Sequence, residues 1–447
     1  MFGFKPLGNT RVKHHKNTAS MPAIPMTPPT TVLLPMAQHI GAPATPIVKV
    51  GDTVRVGQKI AEAGGYVSSP IYASVSGTVA KIEDYMRPNG TTVQAIRINS
   101  DGNMTPLDDI TPPVVNDLTS LIEACKNSGV VGLGGAGFPT AVKLDGVGKG
   151  DIDTIILNGA ECEPYLTGDT RTMLDDSKWI YEGVKLFKTY CPSIKQFIIG
   201  IESNKPECIE EMARIFADEP MVTVKPLPPK YPQGAEKVLI YNTTGRVVPE
   251  GKLPSDVSCM VINVTSLASY AKYVHTGMPL VDRVVTVDGS AISSPKNVIV
   301  PIGTSVGEVI AFVRGDGEGE KIGKILFGGP MMGIPAESPN DPITKTTGGL
   351  TVMSERDAKL HEPTACIHCG RCVISCPHLL NPTTFAKALK IENKEERMTV
   401  LTENKVNLCI DCGCCSYVCP AHRPLVQNNI IAKAELRAYN AERANKK

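Results

Sequence analysis

Eight cysteines toward the C-terminal end repeat one spacing. Cys366, Cys369, Cys372 and Cys376 read C-x2-C-x2-C-x3-C and are followed by Pro377; Cys409, Cys412, Cys415 and Cys419 read the same and are followed by Pro420. Three thiolates on one tight loop can reach three corners of an iron-sulfur cube, and the fourth corner needs a ligand from elsewhere. The spacing is that of bacterial two-cluster ferredoxins, where each fourth cysteine serves the other cluster. The expected ligand sets for two [4Fe-4S] clusters are therefore Cys366, Cys369, Cys372 and Cys419, and Cys409, Cys412, Cys415 and Cys376. Zinc usually takes paired C-x2-C units, and a disulfide set would suit a secreted chain. Cys414, wedged between two ligands, is expected to be a spectator. Two clusters side by side make a wire for single electrons.

The second chemical stretch is GLGGAGFPTAVKL, Gly132 to Leu144. Gly132, Gly134 and Gly137 satisfy G-x-G-x-x-G, but the dinucleotide fingerprint needs a strand immediately before it. Here the preceding DLTSLIEACKNS spaces Leu118, Leu121, Ile122 and Cys125 as a helix does. A standard Rossmann site is thus not indicated. What the glycines do provide is a backbone without Cβ atoms, free to adopt positive φ and to turn N–H groups toward an anion or a flat ring. Pro139 suits the first turn of a following helix. Lys143 falls one turn into that helix, where its ammonium could reach a phosphate or a flavin edge. A bare hinge would need neither Phe138 nor Lys143.

Several domains must position these two features, because 447 residues exceed what one hydrophobic core supports. Lys plus Arg number 46 against 45 for Asp plus Glu, which leaves no field to attract nucleic acid. The basic run RVKHHK, Arg11 to Lys16, lacks interleaved aromatics and is expected to be a solvated tail. With no long apolar window and no apolar stretch after the basic start, neither a membrane span nor a signal peptide is indicated. The chain is expected to be soluble or peripheral and to stay inside the cell. Of 14 cysteines, nine crowd between Cys366 and Cys419, which favours a metal-binding module in a reducing compartment over a disulfide framework.

Residues 20–46 carry seven prolines and are expected to be an extended lead-in. From residue 47, short β-branched runs cut by Gly and Pro predict antiparallel strands. This stretch resembles the barrel-sandwich domains that carry biotin or lipoate, but its central turn, Ser68 to Ser76, has no lysine to modify, so a structural or docking role is expected. DTIILNGAECEPYLTGDTRTML and QFIIGIESNKPECIEEMARIFA each read strand, polar loop, helix. That alternation implies an open α/β sheet with ligands at the carboxyl ends of its strands. Residues 258–330 return to β character, and ESPNDPITKTTGG reads as a linker. Cys125, Cys191, Cys208 and Cys259 read as buried apolar thiols. Cys162 lies between Glu161 and Glu163, whose carboxylates would disfavour a thiolate.

The glycine stretch followed by NGAECEP resembles the flavin and NADH site of the 51 kDa-type flavoprotein subunits of respiratory complex I. The order of parts, from the barrel-sandwich start through YPQGAEKVL, VINVTSLA and GGPMMG to the two-cluster tail, resembles the RnfC family of the Rnf ion-translocating electron transport complex, over about residues 30–425. The resemblance implies a multidomain α/β plus β fold. Its expected parts are a tail (1–30), a barrel-sandwich N-terminal domain (31–105), an open α/β FMN/NADH domain (106–257), a β-grasp, SLBB-like domain (258–330), a linker (331–360), a two-cluster ferredoxin-like helical domain (361–425) and a C-terminal helix or tail (426–447). It further implies that Gly132, Gly134, Gly135 and Gly137 line FMN and that Lys143 and Asn158 contact it. Glu161 and Glu163 would lie near the flavin and the nicotinamide ribose. Phe138 would offer NADH a stacking face, Glu236 would face the nicotinamide, and Asn263 would close the flavin's other side. Three positions depart from the complex I pattern: Leu133 where an arginine is usual, Ala160 where an acid is usual, and Ala235 where a second glutamate is usual.

The implied activity is that of the NAD(H)-reacting subunit of a ferredoxin:NAD+ oxidoreductase, passing electrons from NADH through FMN and two [4Fe-4S] clusters, with no catalytic side chain beyond the bound flavin. The implied partners are the membrane subunits and the ferredoxin-reacting iron-sulfur subunit, at the cytoplasmic face of a bacterial membrane, with translocation of Na+ or H+ by the whole complex. Two other readings stand beside it. One is a soluble cobalamin-reductase-like protein, against which the long segment before residue 110 argues; the other is a non-catalytic wiring or docking subunit, for which Leu133 and Ala160 are the best support.

Overall fold

The computed structural model describes residues 8–148, 150–315 and 319–444. The first β region pairs Thr31–Pro35, Thr92–Ser100, Gly77–Met86 and Thr53–Val54 in one antiparallel sheet, and Thr45–Pro46, Lys59–Glu62 and Ile71–Tyr72 in a second. Val54, Ile60, Ile71, Val79, Ile96 and Ile98 fill the space between them. The proline-rich lead-in is therefore partly a regular strand, contrary to its composition. Thr31–Pro35 lies at a sheet edge, where Pro35, which has no N–H to donate, is tolerated.

The same core runs on into an α/β layer whose four strands are ordered Val222–Leu227, Gln196–Glu202, Thr154–Gly159 and Cys259–Asn263, all parallel. Both central strands read as nearly unbroken apolar runs because helices cover both faces of the sheet. The helices are α1 (Leu118–Asn127), α2 (Thr140–Gly148), α3 (Gly168–Asp175), α4 (Ser177–Tyr190), α5 (Pro206–Ile215), α6 (Glu236–Thr244) and α7 (Val264–Thr276). Asn158 and Asn263 end neighbouring strands in register, so the carboxyl edge of the sheet brings them side by side.

A mixed six-stranded sheet follows, ordered Ile24–Pro25, Lys296–Pro301, Asp282–Asp288, Gly349–Ser354, Ile322–Phe327 and Ile334–Pro335, with helix α8 (Val306–Arg314) packed on it through Val306, Val309, Ile310 and Val313. The stretch expected to be a linker, residues 331–360, thus supplies an inner strand, and Ile343 and Lys345 before it are buried. Its many polar and proline residues conceal this because they bend the chain around the first β region. The cysteine region is helical. Gly370 and Gly413, both with positive φ, start the short turns Arg371–Ile374 and Cys414–Tyr417, and helix Leu425–Ala444 packs Ala432, Leu436 and Tyr439 against Phe385 and Leu401.

The largest departure lies at residues 8–21. The basic run is not a solvated tail: Thr10, Val12 and Thr18 are buried, and the segment threads between the cysteine region, the α/β layer and the mixed sheet. Arg11, Lys13 and His15 stay exposed, but Lys16 is absorbed by acceptors from a distant part of the chain, which composition cannot reveal.

Candidate functional site

The glycine loop begins where α1 ends. It is pinned by Gly132 N–H donating to the Phe138 carbonyl (2.9 Å), by Leu133 N–H donating to Ser266 Oγ (2.9 Å), and by Ile40 N–H donating to the Gly137 carbonyl (3.3 Å). Gly137 holds φ +73°, and a Cβ there would lie 2.7 Å from Thr346 Cγ2. Gly134, Gly135 and Ala136 are exposed, so the loop turns bare backbone outward. A Cβ on Gly134 would fall 2.5 Å from Asn263 Nδ2, whereas one on Gly135 would meet nothing within 4 Å. This is a cradle whose floor is closed by Asn263 and whose open side accepts a flat or anionic group, and it fits a flavin. Phe138 is half-buried at its rim.

Asn263 caps α7, its Oδ1 accepting from Ser266 N–H (3.1 Å) while its Nδ2 donates to Asp169 Oδ2 (2.8 Å). Asn158 Oδ1 accepts from Ala160 N–H (3.2 Å) and its Nδ2 donates to the Gly234 carbonyl (2.9 Å), tying the strand end to the loop before α6. Lys143 and Glu236 are brought together: Lys143 Nζ donates to Glu236 Oε1 (3.2 Å) and to the Val261 carbonyl (2.9 Å). Glu236 opens α6, where the helix dipole favours its carboxylate.

Glu161 and Glu163 do not stand free at the carboxyl edge of the sheet. Glu161 turns back to accept from Asp169 N–H (2.6 Å), Thr170 N–H (3.3 Å) and Thr170 Oγ1 (2.6 Å) at the start of α3, and burial raises its pKa while nearby Lys16 opposes that rise. Glu163 accepts from Met331 N–H (3.1 Å), Met332 N–H (2.8 Å) and the Tyr231 hydroxyl (3.4 Å). Burial pushes its carboxyl up to about 7 even so. Burial likewise raises Cys162 to about 12, and raises Cys125, Cys191, Cys208 and Cys259 above the usual thiol value, so all five stay protonated.

Motif reasoning missed Arg283. Its buried guanidinium donates to the Leu133 carbonyl (3.2 Å), bringing positive charge beneath the glycine loop. Nothing near residue 283 in the sequence announces this, because the contact comes from another sheet.

In the cysteine region, Cys376, Cys409, Cys412 and Cys415 line one cavity, together with Cys414. Asn429, also missed and buried on the last helix, aims its Nδ2 at Cys409 Sγ (3.4 Å) and Cys415 Sγ (4.0 Å), and Leu380 N–H points at Cys376 Sγ (3.4 Å). Such N–H···S contacts are a usual means of holding and tuning cluster thiolates. Among the described residues no three His, Cys, Asp or Glu side chains gather tightly enough for a single metal ion. The donor set is four thiols on one cavity, the ligand chemistry that a [4Fe-4S] cluster takes. Buried Cys372 feels Cys419 and Cys369 as its thiol neighbours, and Cys369 is exposed. Cys414 also borders this cavity, where its side chain contacts that of Cys412 while its Sγ points toward the Tyr231 carbonyl (3.8 Å). Tyr231, Val12 and Cys162 pack with Cys412 and Cys414 in one buried cluster, so the cavity abuts the loop that follows strand Thr154–Gly159.

Family models match the chain in four places: the Nuo51 FMN-binding domain at residues 125–272, the RnfC barrel sandwich hybrid domain at 7–103, an SLBB domain at 284–335 and a 4Fe-4S dicluster domain at 358–435. The C subunit of the proton-translocating ferredoxin:NAD(+) oxidoreductase complex of Clostridium ljungdahlii is 42% identical over 389 residues, 85% of this chain and 84% of that one. Its Na(+)-translocating counterpart from Acetobacterium woodii is 41% identical over 379 residues, 83% and 84% of the two chains. An NAD+-reducing [NiFe]-hydrogenase in the air-oxidized state shares the fold with a TM-score of 0.51 at 19% identity, over 73% of this chain and 64% of its own. Sequence relatives of this closeness along most of the chain, together with the matched RnfC, FMN and dicluster domains, establish that it belongs to the RnfC family of ferredoxin:NAD+ oxidoreductase complexes.

Proposed function

We propose that this chain is the subunit at which a ferredoxin:NAD+ oxidoreductase complex exchanges hydride with NAD(H) and converts it to single electrons. The observation that carries the reading is the adjacency of two built cradles. The bare backbone of Gly134–Ala136 faces open space above Asn263, and the loop beside it packs through Tyr231 on the cavity ringed by Cys376, Cys409, Cys412 and Cys415. FMN, when bound, supplies the conversion between a two-electron donor and one-electron acceptors.

The chain's residues bind and orient. Gly132, Gly134, Gly135 and Gly137 shape the flavin cradle, Asn263 closes its floor and Asn158 holds the neighbouring strand end. Lys143 and Glu236 form one pair at the mouth; Lys143 is assigned to the flavin side and Glu236 to the nicotinamide, with Phe138 as the stacking face. Glu161 and Glu163 fix the adjoining loop from within, and their contacts with ligand run through the backbone they hold. Cys366, Cys369, Cys372 and Cys419 are assigned to one [4Fe-4S] cluster and Cys409, Cys412, Cys415 and Cys376 to the other. The second is the nearer to the flavin domain, since Gly413 packs on the Met331 carbonyl and Met331 N–H is bonded to Glu163. The first is the exit, since Cys369, Ile367 and Ile374 are exposed around it.

No described helix is long and apolar enough to cross a membrane. Attachment at the cytoplasmic face, through the membrane subunits and the ferredoxin-reacting iron-sulfur subunit, is therefore proposed to come from those partners. The test is the composition of the intact, anaerobically isolated chain: one FMN and about eight irons per chain are expected from one flavin and two cubane clusters. Clusters without flavin would support the non-catalytic wiring reading instead.

A further inference from the structure

Residues 8–21 touch the cluster cavity and the loop that follows strand Thr154–Gly159. Gly8 lies so close on the Cys376 carbonyl that no side chain would fit there. Thr10 and Tyr231 exchange backbone hydrogen bonds (2.8 and 2.9 Å), Val12 is buried with Cys162, Cys412 and Cys414, and the His14 carbonyl accepts from Tyr165 N–H (2.9 Å). Then Lys16, its side chain 13% exposed, turns its Nζ into the loop that follows strand Thr154–Gly159. The ammonium donates to the carbonyls of Glu161 (2.7 Å), Glu163 (2.8 Å) and Leu166, and lies 4.0 Å from Glu161 Oε2. A second buried lysine completes the pattern: Lys205 Nζ donates to the Ala160 carbonyl (2.7 Å) and to Glu202 Oε2 (2.9 Å). Four carbonyls of one seven-residue loop thus end on two ammonium groups.

The loop needs such restraint. Glu161 (φ 45°) and Tyr165 (φ 70°) both hold left-handed backbone, which non-glycine residues keep only where the surroundings over-determine it. The carboxylates of Glu161 and Glu163 are held inward, so the shape presented at the cradle is set by this backbone.

We propose that Lys16 is a positioning residue for the redox reaction: its ammonium fills a three-carbonyl nest that fixes loop Ala160–Leu166 beside the flavin cradle, and its strap ties that loop to the cluster ringed by Cys376, Cys409, Cys412 and Cys415. The inference rests on the flavin and NADH reading above. Three acceptor oxygens call for three donors, which an ammonium has and a neutral amine lacks. Burial lowers the pKa of Lys16 while Glu161 raises it, and the three carbonyls add their preference for the charged form. With the side chain truncated, the nest is an oxygen-lined hole of a size and charge that suit a small alkylammonium.

The test uses the full chain loaded with FMN and both clusters. Wild-type protein must first reduce an artificial acceptor with NADH; if it does not, the flavin reading fails, whatever the role of Lys16. Given that activity, Lys16→Met is expected to keep FMN and iron at wild-type stoichiometry and to lower kcat/KM for NADH by about ten- to a hundredfold, the scale of lost charge-assisted hydrogen bonds. Excess methylammonium should recover part of the loss in Lys16→Met and leave the wild type unaffected, a response that general destabilisation would not give. Wild-type kcat/KM in Lys16→Met, or a loss that methylammonium does not touch, overturns the proposal. If Lys16→Met does not fold, Lys16→Arg decides, because arginine keeps the charge but cannot aim one nitrogen at three carbonyls: lowered kcat/KM with both clusters intact supports the nest, and wild-type kcat/KM overturns it.

Discussion

A single methyl group at Gly134 should remove the flavin. The Cβ it adds would lie 2.5 Å from Asn263 Nδ2 and 2.9 Å from its Cγ, roughly 1 Å inside an ordinary van der Waals separation. Asn263 cannot yield cheaply, because Oδ1 caps α7 through Ser266 N–H and Nδ2 is bonded to the Asp169 carboxylate. Losing the cap costs about 1 kcal/mol and losing a hydrogen bond to a charged group about 1.5 to 3. If the cradle must hold its shape to bind FMN, Gly134→Ala weakens binding by roughly 60- to 700-fold. Gly135→Ala is the control. Its Cβ meets no protein atom within 4 Å, so it should leave the melting temperature unchanged and weaken FMN binding only because the methyl meets the ligand. The assay is FMN released by acid, per iron, after desalting. Gly134→Ala with FMN at full stoichiometry would refute the cradle, and Gly135→Ala with unaltered affinity would show that the open side is not where the flavin lies.

Other consequences are directly measurable. Cys376→Ser should damage the cluster ringed by Cys409, Cys412 and Cys415, as resolved by electron paramagnetic resonance, because these thiols share one cavity; damage confined to the Cys366 set would contradict the crossover. Glu236→Ala should leave stability nearly unchanged, because the pair with Lys143 is partly exposed. The same change should lower kcat/KM for NADH about five- to a hundredfold with FMN retained; full activity, or loss of FMN, would reassign Glu236. Glu163 is raised from 4.5 to about 7 on folding, so the native state holds its proton more tightly and stability falls as pH rises through that interval. Glu163→Gln should remove a pH-dependent loss of at most about 3 kcal/mol; wild type and variant with the same change in melting temperature between pH 5 and 7.5 would sink the assignment.

What the sequence disclosed was local chemistry. Cluster cysteines must sit at fixed steps along one loop, so the run from Cys366 to Cys419 announces a dicluster domain, and parallel strands buried on both faces must be apolar throughout, so TIILNG and QFIIGIE read as strands. The glycine loop was legible as a close approach for the same reason: the absence of Cβ atoms is written in the residues. What was hidden lies in contacts between distant segments. Lys16 finds its acceptors 145 to 150 positions away, and those acceptors are carbonyls, which carry no sequence signature; a basic run with such partners looks the same as a solvated one. Arg283 and Asn429 reach the cradle and the cluster cavity from another sheet and another helix. Glu161 and Glu163 were legible as loop acids, but not as acids turned inward to hold a helix start and the backbone of Met331 and Met332.

The central claim is that one chain takes hydride from NADH and delivers single electrons to its clusters. Anaerobic titration of the intact, FMN-loaded chain with NADH, followed by visible absorbance and electron paramagnetic resonance together, tests it most directly. The account predicts that NADH bleaches the flavin band and that the signal of a reduced [4Fe-4S] cluster then grows, with Cys376→Ser bleaching the flavin yet losing the cluster signal that depends on Cys409, Cys412 and Cys415. Clusters that dithionite reduces but NADH does not, in a chain with its flavin in place, would contradict it.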